Sequence, residues 1–175
     1  MKFRAGSAHS FAIRSLQASD RDALAALFAS EPNYAELVRG GTLAPSEADS
    51  IFTELPPGKT VDDKLLFGIV DGSSLIGVID VVRSYQNADS WFLGLVFVAP
   101  AARGKGLGTE LLRALGDYAA ESGANALQLA VTMANPEARR LYRRLGFRVT
   151  REHERTEPDG RVTRLEFMEL SLTPA

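Results

Sequence analysis

The spacing of apolar residues near the start of the chain predicts a strand followed by a helix. Residues 11–16 alternate between apolar and polar side chains, as a half-buried strand does. Ser19 is followed by an acidic first turn, a common helix start. Leu24, Leu27 and Phe28 then recur at helical spacing, which predicts that one face of this helix is buried.

The middle of the chain predicts three strands. The apolar runs at 64–70 and 75–82 are joined by the turn residues 71–74, which indicates a hairpin. The third run, residues 91–98, is apolar on both faces, so we expect a central strand covered on both sides. Gly94 interrupts this run. A glycine inside a strand indicates a β-bulge or the close approach of a ligand.

The second half of the chain predicts a helix, a strand, a second helix and a hairpin. Asn135 is expected to cap the second helix, with Pro136 at its first position and Gly146 just beyond its end. The remaining predictions are a helix at about 106–121 with an apolar stripe of Leu107, Leu111, Leu115 and Tyr118, a strand at 126–131, and two strands at 147–151 and 162–172 that turn around residues 158–160.

Residues 31–60 are rich in proline and glycine, which break regular structure. One short helix fits between Ser46 and Leu55. Because strands continue after this region, we interpret it as a mobile flap rather than a linker. The order of elements predicts one mixed α/β domain over residues 1–175, with its core at about 11–172.

Composition limits the classes of function. With 20 basic and 22 acidic side chains the net charge is -2, unlike the strongly basic surface of a nucleic-acid binder, so no nucleic-acid partner is expected. There is no cysteine, and residues 1–10 show no apolar signal segment. No apolar stretch is long enough to span a membrane. We therefore expect a cytoplasmic protein without a membrane partner.

Residues 103–108, with the sequence RGKGLG, stand between the third apolar run and a helix. A glycine-rich turn at a helix start is suited to bind an anion, because free N–H groups and the helix dipole meet there. The pattern matches neither a P-loop nor the usual dinucleotide-binding fingerprint. Alternatively, the glycines only form a tight turn. The groups that would face the anion are Arg103, Gly104, Lys105, Gly106, Leu107, Gly108 and Thr109.

Two segments carry a resemblance to a known family. Residues 98–108 (VAPAARGKGLG) resemble the acetyl-CoA signature of the GNAT superfamily of N-acetyltransferases. Residues 135–147 (NPEARRLYRRLGF) resemble a second segment of the same superfamily, at its usual distance downstream. The resemblance extends from about residue 11 to 172. It implies a GNAT-like fold, a mixed and mostly antiparallel central sheet flanked by helices.

The resemblance also implies roles for single residues. Backbone groups of Val96 and Val98 would bind the pantetheine arm of acetyl-CoA, and residues 103–108 would wrap its pyrophosphate. Asn135 would contact the arm, and Tyr142 would lie near the thioester sulfur and protonate it. Alternatively, Tyr142 packs the core, because helical spacing places it with Ala138, Leu141 and Leu145.

The implied activity is transfer of an acetyl group from acetyl-CoA to a primary amine by direct attack on the thioester, without a metal. The acceptor would be a small-molecule or peptide amine, and a homodimer is left open. The alternatives are a regulatory module that binds acyl-CoA with little activity and a domain that binds another nucleotide. Candidates for the acceptor pocket are the flap, Asp80, Arg83, Tyr85 and Trp91. Candidates for the base are Asp80, Glu54, Asp62 and Asp63. The arginines 139, 140, 143 and 144 are expected to form mainly a solvated face, and alternatively some of them help hold the negatively charged nucleotide end of the cofactor.

Overall fold

A computed structural model of the protein describes residues 11–31, 33, 47–157 and 160–172. Much of the predicted flap and part of the predicted turn at 158–160 lie outside these residues. The strands are β1 (Ala12–Ser15), β2 (Lys64–Asp71), β3 (Ser74–Arg83), β4 (Ser90–Val98), β5 (Ala126–Thr132), β6 (Arg148–Thr156) and β7 (Val162–Ser171); the helices are α1 (Arg21–Ala29), α2 (Glu47–Thr53), α3 (Leu107–Glu121) and α4 (Pro136–Arg144).

These elements confirm those that the apolar spacing predicts, including the short helix between Ser46 and Leu55. The helix expected after Ser19 begins two residues later, because a single 3-10 turn (Ala18–Asp20) precedes α1. Asp20 holds this turn by accepting a hydrogen bond from the Gln17 N–H at 2.8 Å.

The strands form one sheet in the order β1-β2-β3-β4-β5-β7-β6. Among the strand pairs described, β4–β5 is parallel and the others are antiparallel. The predicted mixed, mostly antiparallel sheet is therefore confirmed. β4 is the central strand, with three strands on each side.

Helices cover β4 on both faces, as its apolar run predicts. Leu93 belongs to the core cluster that contains Leu111 and Leu115 of α3. Phe97, on the opposite face, packs edge-on against Phe28 of α1 with ring centroids 5.7 Å apart. The tyrosine of the predicted α3 stripe, Tyr118, lies only partly buried at the edge of the first cluster.

The register of β4 with its two neighbours creates a gap in the sheet. Asp80 of β3 pairs with Leu95, whereas Val81 pairs with Leu93, so Gly94 is left without a partner on β3. This confirms the predicted bulge at Gly94. On the other side, the β4–β5 pairs end at Leu93 and Leu129, although both strands continue. The second half of β4 is therefore separated from β5. No described helix is long and apolar enough to cross a membrane.

Candidate active site

A cavity of about 720 Å³ occupies this gap, between the end of β4, the glycine turn and α4. Of the residues that the sequence assigns to the site, all except Lys105 line it. Lys105 is exposed on the turn beside the cavity. The lining residues that sequence reasoning did not assign to the site are Phe97, Pro136, Glu137, Ala138 and Leu141. Glu31, at the start of the predicted flap, and Arg144, from the arginine run of α4, also line the cavity.

The backbone of β4 offers hydrogen-bonding groups to this cavity. The Ala99 N–H donates to the Ile76 carbonyl at 2.8 Å. Because bonded and non-bonded pairs alternate along an antiparallel ladder, the groups of Val98 and Val96 point away from β3. They point into the gap, since β5 no longer pairs with β4 at this level. An extended ligand with amide groups could bond there as a strand would.

The turn before α3 has glycines at the positions where a side chain would fill the cavity. Gly104 and Gly106 have φ of 78° and 83°, a left-handed conformation that favours glycine. A Cβ built at either position meets no atom within 4 Å, so the space above the turn is open. By helix geometry, the N–H groups of Leu107 and Gly108 have no helical carbonyl to bond. The structure thus presents unsatisfied donors and a helix dipole to the cavity.

Arg103 has partners that the sequence did not predict. Its Nε donates to the Val98 carbonyl at 2.9 Å, and its Nη1 donates to Glu31 at 2.7 Å. Its guanidinium also lies 5.5 Å from the centre of the Phe97 ring. Arg103 therefore lies across the end of β4, where Glu31 offsets its charge. Glu31 carries no motif, and no signal in the sequence indicates this contact.

The position of Tyr142 is compatible with both interpretations, a role in the site and packing in the core. It packs against the core and lies edge-on to Phe147, with ring centroids 5.5 Å apart, while it also lines the cavity. Desolvation by the surrounding protein raises the pKa of the Tyr142 phenol to about 12. The hydroxyl is therefore protonated at neutral pH and suited to donate a hydrogen bond.

Asn135 caps α4 as predicted. Its side-chain oxygen accepts a hydrogen bond from the Ala138 N–H at 3.1 Å. Capping uses this oxygen, so the side-chain NH₂ is the group that remains to meet a ligand. The same cap fixes the start of the helix that carries Tyr142.

Three of the four α4 arginines, Arg140, Arg143 and Arg144, are exposed, as expected of a mainly solvated face, but two of the four also pair with a carboxylate. Arg139 and Arg143 both bind Glu166 of β7, whose side chain is only 4% exposed. Hydrogen bonds from Arg139, and then the charges of both arginines, hold the pKa of Glu166 below its usual range. Arg140 is exposed, and Arg144 lines the cavity.

Candidates for the acceptor side lie around the bulge. Asp80 pairs with Lys64 at 2.8 Å, and the Arg83 guanidinium donates to the carbonyl of Asp62. Tyr85 packs edge-on to Phe92 at 5.4 Å. Trp91 is 5% exposed and belongs to the core, so its assignment to an acceptor pocket is wrong.

The site therefore combines a gap in the centre of a mixed sheet with a helix start whose first N–H groups have no helical partner. Residues 31–147 match the Acetyltransferase (GNAT) family. The chain belongs to this family. It is 52% identical over 90 residues to streptothricin acetyltransferase of Streptomyces lavendulae, a match that covers 51% of this chain and 47% of that protein.

A second relative is the L-methionine sulfoximine/L-methionine sulfone acetyltransferase of Pseudomonas aeruginosa, 38% identical over 80 residues, 45% of this chain and 46% of the relative. The matches thus span less than half of these two relatives. Among solved structures, spermidine N-acetyltransferase from Vibrio cholerae, in complex with CoA and spermine, has a TM-score of 0.74 at 19% identity, covering 94% of this chain and 96% of that one. This likeness shows the fold.

Proposed function

We propose that the protein transfers an acetyl group from acetyl-CoA to the primary amine of a small molecule. The observation that carries this proposal is that three groups with separate roles face one cavity: the unpaired edge of β4, the glycine turn and Tyr142. Family membership supports acetyl transfer, and two relatives are named for streptothricin and for methionine sulfoximine, which favours a small-molecule acceptor.

Each part of the cavity suits one part of acetyl-CoA. Val96 and Val98 would bond the amides of the pantetheine arm along the edge of β4. The N–H groups at the start of α3 would bind the pyrophosphate, with charge from Arg103 and Lys105. Donation of the Arg103 guanidinium to phosphate would require it to leave Glu31. The thioester would then reach the sheet near Gly94, where the bulge and the gap meet.

In the proposed reaction the amine nitrogen attacks the thioester carbonyl, and a C–N bond forms as the C–S bond breaks. The electron pair of the broken bond stays on sulfur. Tyr142 would give its proton to that thiolate, or stabilise it by a hydrogen bond. The proton lost by the amine leaves to water or to a carboxylate on the acceptor side.

The acceptor would enter from the face that carries α1 and α2. Lys64 links this side together, because its Nζ donates to the Glu54 carbonyl at 3.1 Å and to Asp80. The end of the 31–60 segment is thus tied to the strand beside Gly94. This contact supports our proposal that the segment forms a wall of the acceptor site.

The decisive test is turnover of acetyl-CoA with a library of small amines. We expect release of free CoA thiol that depends on the amine, and a gain of one acetyl group in the mass of the product. Binding of acetyl-CoA without acetylation of any amine would instead favour a regulatory module. A domain for another nucleotide would bind ATP or NAD in preference to CoA.

A further inference from the structure

One face of the second half of the sheet is not covered by the described helices. The cluster packed with α1 and α2 draws its sheet residues from β2, β3 and β4. On β7, Glu166 and Met168 point towards α4 and the core, so Leu165 and Phe167 point to the opposite face. Ala130 of β5, which also lies on this face, is exposed. β5, β7 and β6 therefore present an open face that begins at the gap.

A row of residues runs across this open face from the gap. Leu93 pairs with Leu129, so Gly94 and Ala130 are the next residues, where the two strands part. Ala130 pairs with Phe167, and Phe167 pairs with Arg151 of β6. The guanidinium carbon of Arg151 lies 3.5 Å from the centre of the Phe167 ring. The charge of Arg151 is thus held over Phe167 of β7, the strand between β6 and β5.

The acidic side chains near Arg151 interact with other groups. Glu152 lies on the other face of β6, where its charge acts on Arg139. Glu154, also on that other face, binds Arg164 at 2.8 Å. On the open face, Glu169 accepts a hydrogen bond from Gln128 at 2.8 Å. An anion bound on the open face, in the row of residues that runs from Gly94 to Arg151, would therefore contact the Arg151 guanidinium.

We propose that Arg151, stacked on Phe167, binds the carboxylate of the acceptor, so that the acceptor is a small aminocarboxylate. This inference rests on the proposed acetyl transfer. Paired strands lie about 4.8 Å apart, so Phe167 of β7, two strands from β4, lies at least roughly 10 Å from Gly94 across the gap. With hydrogen bonds of about 3 Å at each end, a molecule that carries an amine at one end and a carboxylate at the other spans this distance.

Arginine suits this role for two reasons. Its planar guanidinium stacks on an aromatic ring and still presents N–H donors at its edge. Those donors bind a carboxylate in a bidentate geometry that a lysine cannot match. Stacking on Phe167 therefore orients the donors before the substrate arrives.

The test compares amino acids with their carboxamides as matched pairs of acceptors. The wild-type protein should have a higher kcat/KM for the carboxylate, and Arg151→Gln should reduce this preference by up to about tenfold, the loss of one charge-assisted pair at an exposed residue. We expect the change in KM of the carboxylate, with the carboxamide unaffected. Because each variant is tested on the same pair, the difference in amine pKa between the two acceptors cancels.

Arg155→Gln is the matched control, since Arg155 lies on the same face of β6 and pairs with Glu157 at 2.7 Å. It should keep the wild-type preference, and Arg151→Lys should retain part of it. An unchanged preference in Arg151→Gln, or carboxamides preferred by the wild type, would overturn the inference. If no amine is acetylated, with or without a carboxylate, the proposed acetyl transfer itself is refuted. Melting curves of both Arg151 variants exclude misfolding as the cause.

Discussion

At the scale of single residues, Tyr142 both packs against the core and lines the cavity. The structure explains why a tyrosine can do both, because the ring packs against Phe147 while the residue still lines the cavity. The raised pKa keeps the phenol neutral, and a neutral phenol can donate a hydrogen bond to a thiolate where a phenolate cannot.

We predict that Tyr142→Phe lowers kcat and leaves acetyl-CoA binding nearly intact. The loss should be at or below the roughly 10²–10⁴-fold typical of acid–base groups, since a thiolate leaves fairly well unaided. Because the pKa is raised to about 12, the pH–rate profile of the wild type should show no limb from this residue at neutral pH. If the variant has the kcat of the wild type, and the chemical step is rate-limiting, then Tyr142 only packs the core.

A second prediction at this scale concerns the base. β4 carries no carboxylate, and Asp80 on β3 is held by Lys64 in an ion pair. We therefore predict that no single carboxylate is a directly bonded base. Each of Asp80→Asn, Glu54→Gln, Asp62→Asn and Asp63→Asn should keep kcat/KM within about 10²-fold of wild type. One folded variant that binds acetyl-CoA yet falls well below this range would identify a dedicated base.

At the scale of elements, the position of α4 depends on Glu166. Arg139 and Arg143 lie one turn apart on α4 and clamp the same carboxylate of β7. The helix contributes no fully buried residue, so this clamp adds to a modest apolar contact. Asn135 and Tyr142 are carried by the same helix, and the clamp therefore also sets their place in the cavity.

We predict that Glu166→Gln lowers the free energy of unfolding by about 2–3 kcal/mol in urea denaturation. A fully buried pair costs roughly 3–5 kcal/mol to break, and the partial exposure of the two arginines reduces that figure. The matched control is Glu154→Gln, because Glu154 binds Arg164 in an exposed pair and should cost less than about 1 kcal/mol. Equal losses in the two variants would contradict the role of the clamp.

The same clamp should make the free energy of unfolding depend on pH in the acid range. The pKa of Glu166 is lowered in the folded state, so its stabilisation is present above the unfolded pKa of about 4.3 and is lost as the pH falls below it. The stability of the wild type should therefore fall more steeply in this range than that of Glu166→Gln. If the stabilities of the two proteins change with pH in parallel, Glu166 contributes no pH-dependent stabilisation.

At the scale of the whole molecule, the cavity joins the two halves of the sheet. β4 and the glycine turn supply one wall, and α4 supplies the other. A ligand bound between them stabilises the native state by mass action. At 100 times its Kd, acetyl-CoA should add about 2.7 kcal/mol and raise Tm by roughly 5–10 °C. ATP or NAD at the same concentration should not match this shift, and an equal shift would favour the rival nucleotide-binding domain.

Gly106→Val is predicted to abolish this shift by filling the space of the pyrophosphate. Its left-handed backbone is strained by any side chain, at a cost of roughly 1–2 kcal/mol. Gly72→Val is the matched control, because Gly72 also has a positive φ of 59° and open space around it, in the β2–β3 turn away from the cavity. A normal shift in folded Gly106→Val would refute the assignment of the turn.

The sequence by itself determined the elements and the glycine turn, because both follow from local physics. Apolar spacing, caps and glycines act over a few residues, so they can be read in order along the chain. The bulge at Gly94 was predictable for the same reason. The resemblance of two segments added the roles proposed for Val96, Val98 and Tyr142.

Only the tertiary structure decided which charges meet. Arg103 and Glu31 are 72 positions apart, and Arg139 and Glu166 are 27 apart. Partners at such distances in sequence depend on the order of strands in the sheet. Here β7 is inserted between β5 and β6, and this position decides which side chains of β7 contact α4. The open face with Arg151 on Phe167 arises in the same way, because periodicity shows that two residues share a face but not which face a helix leaves uncovered.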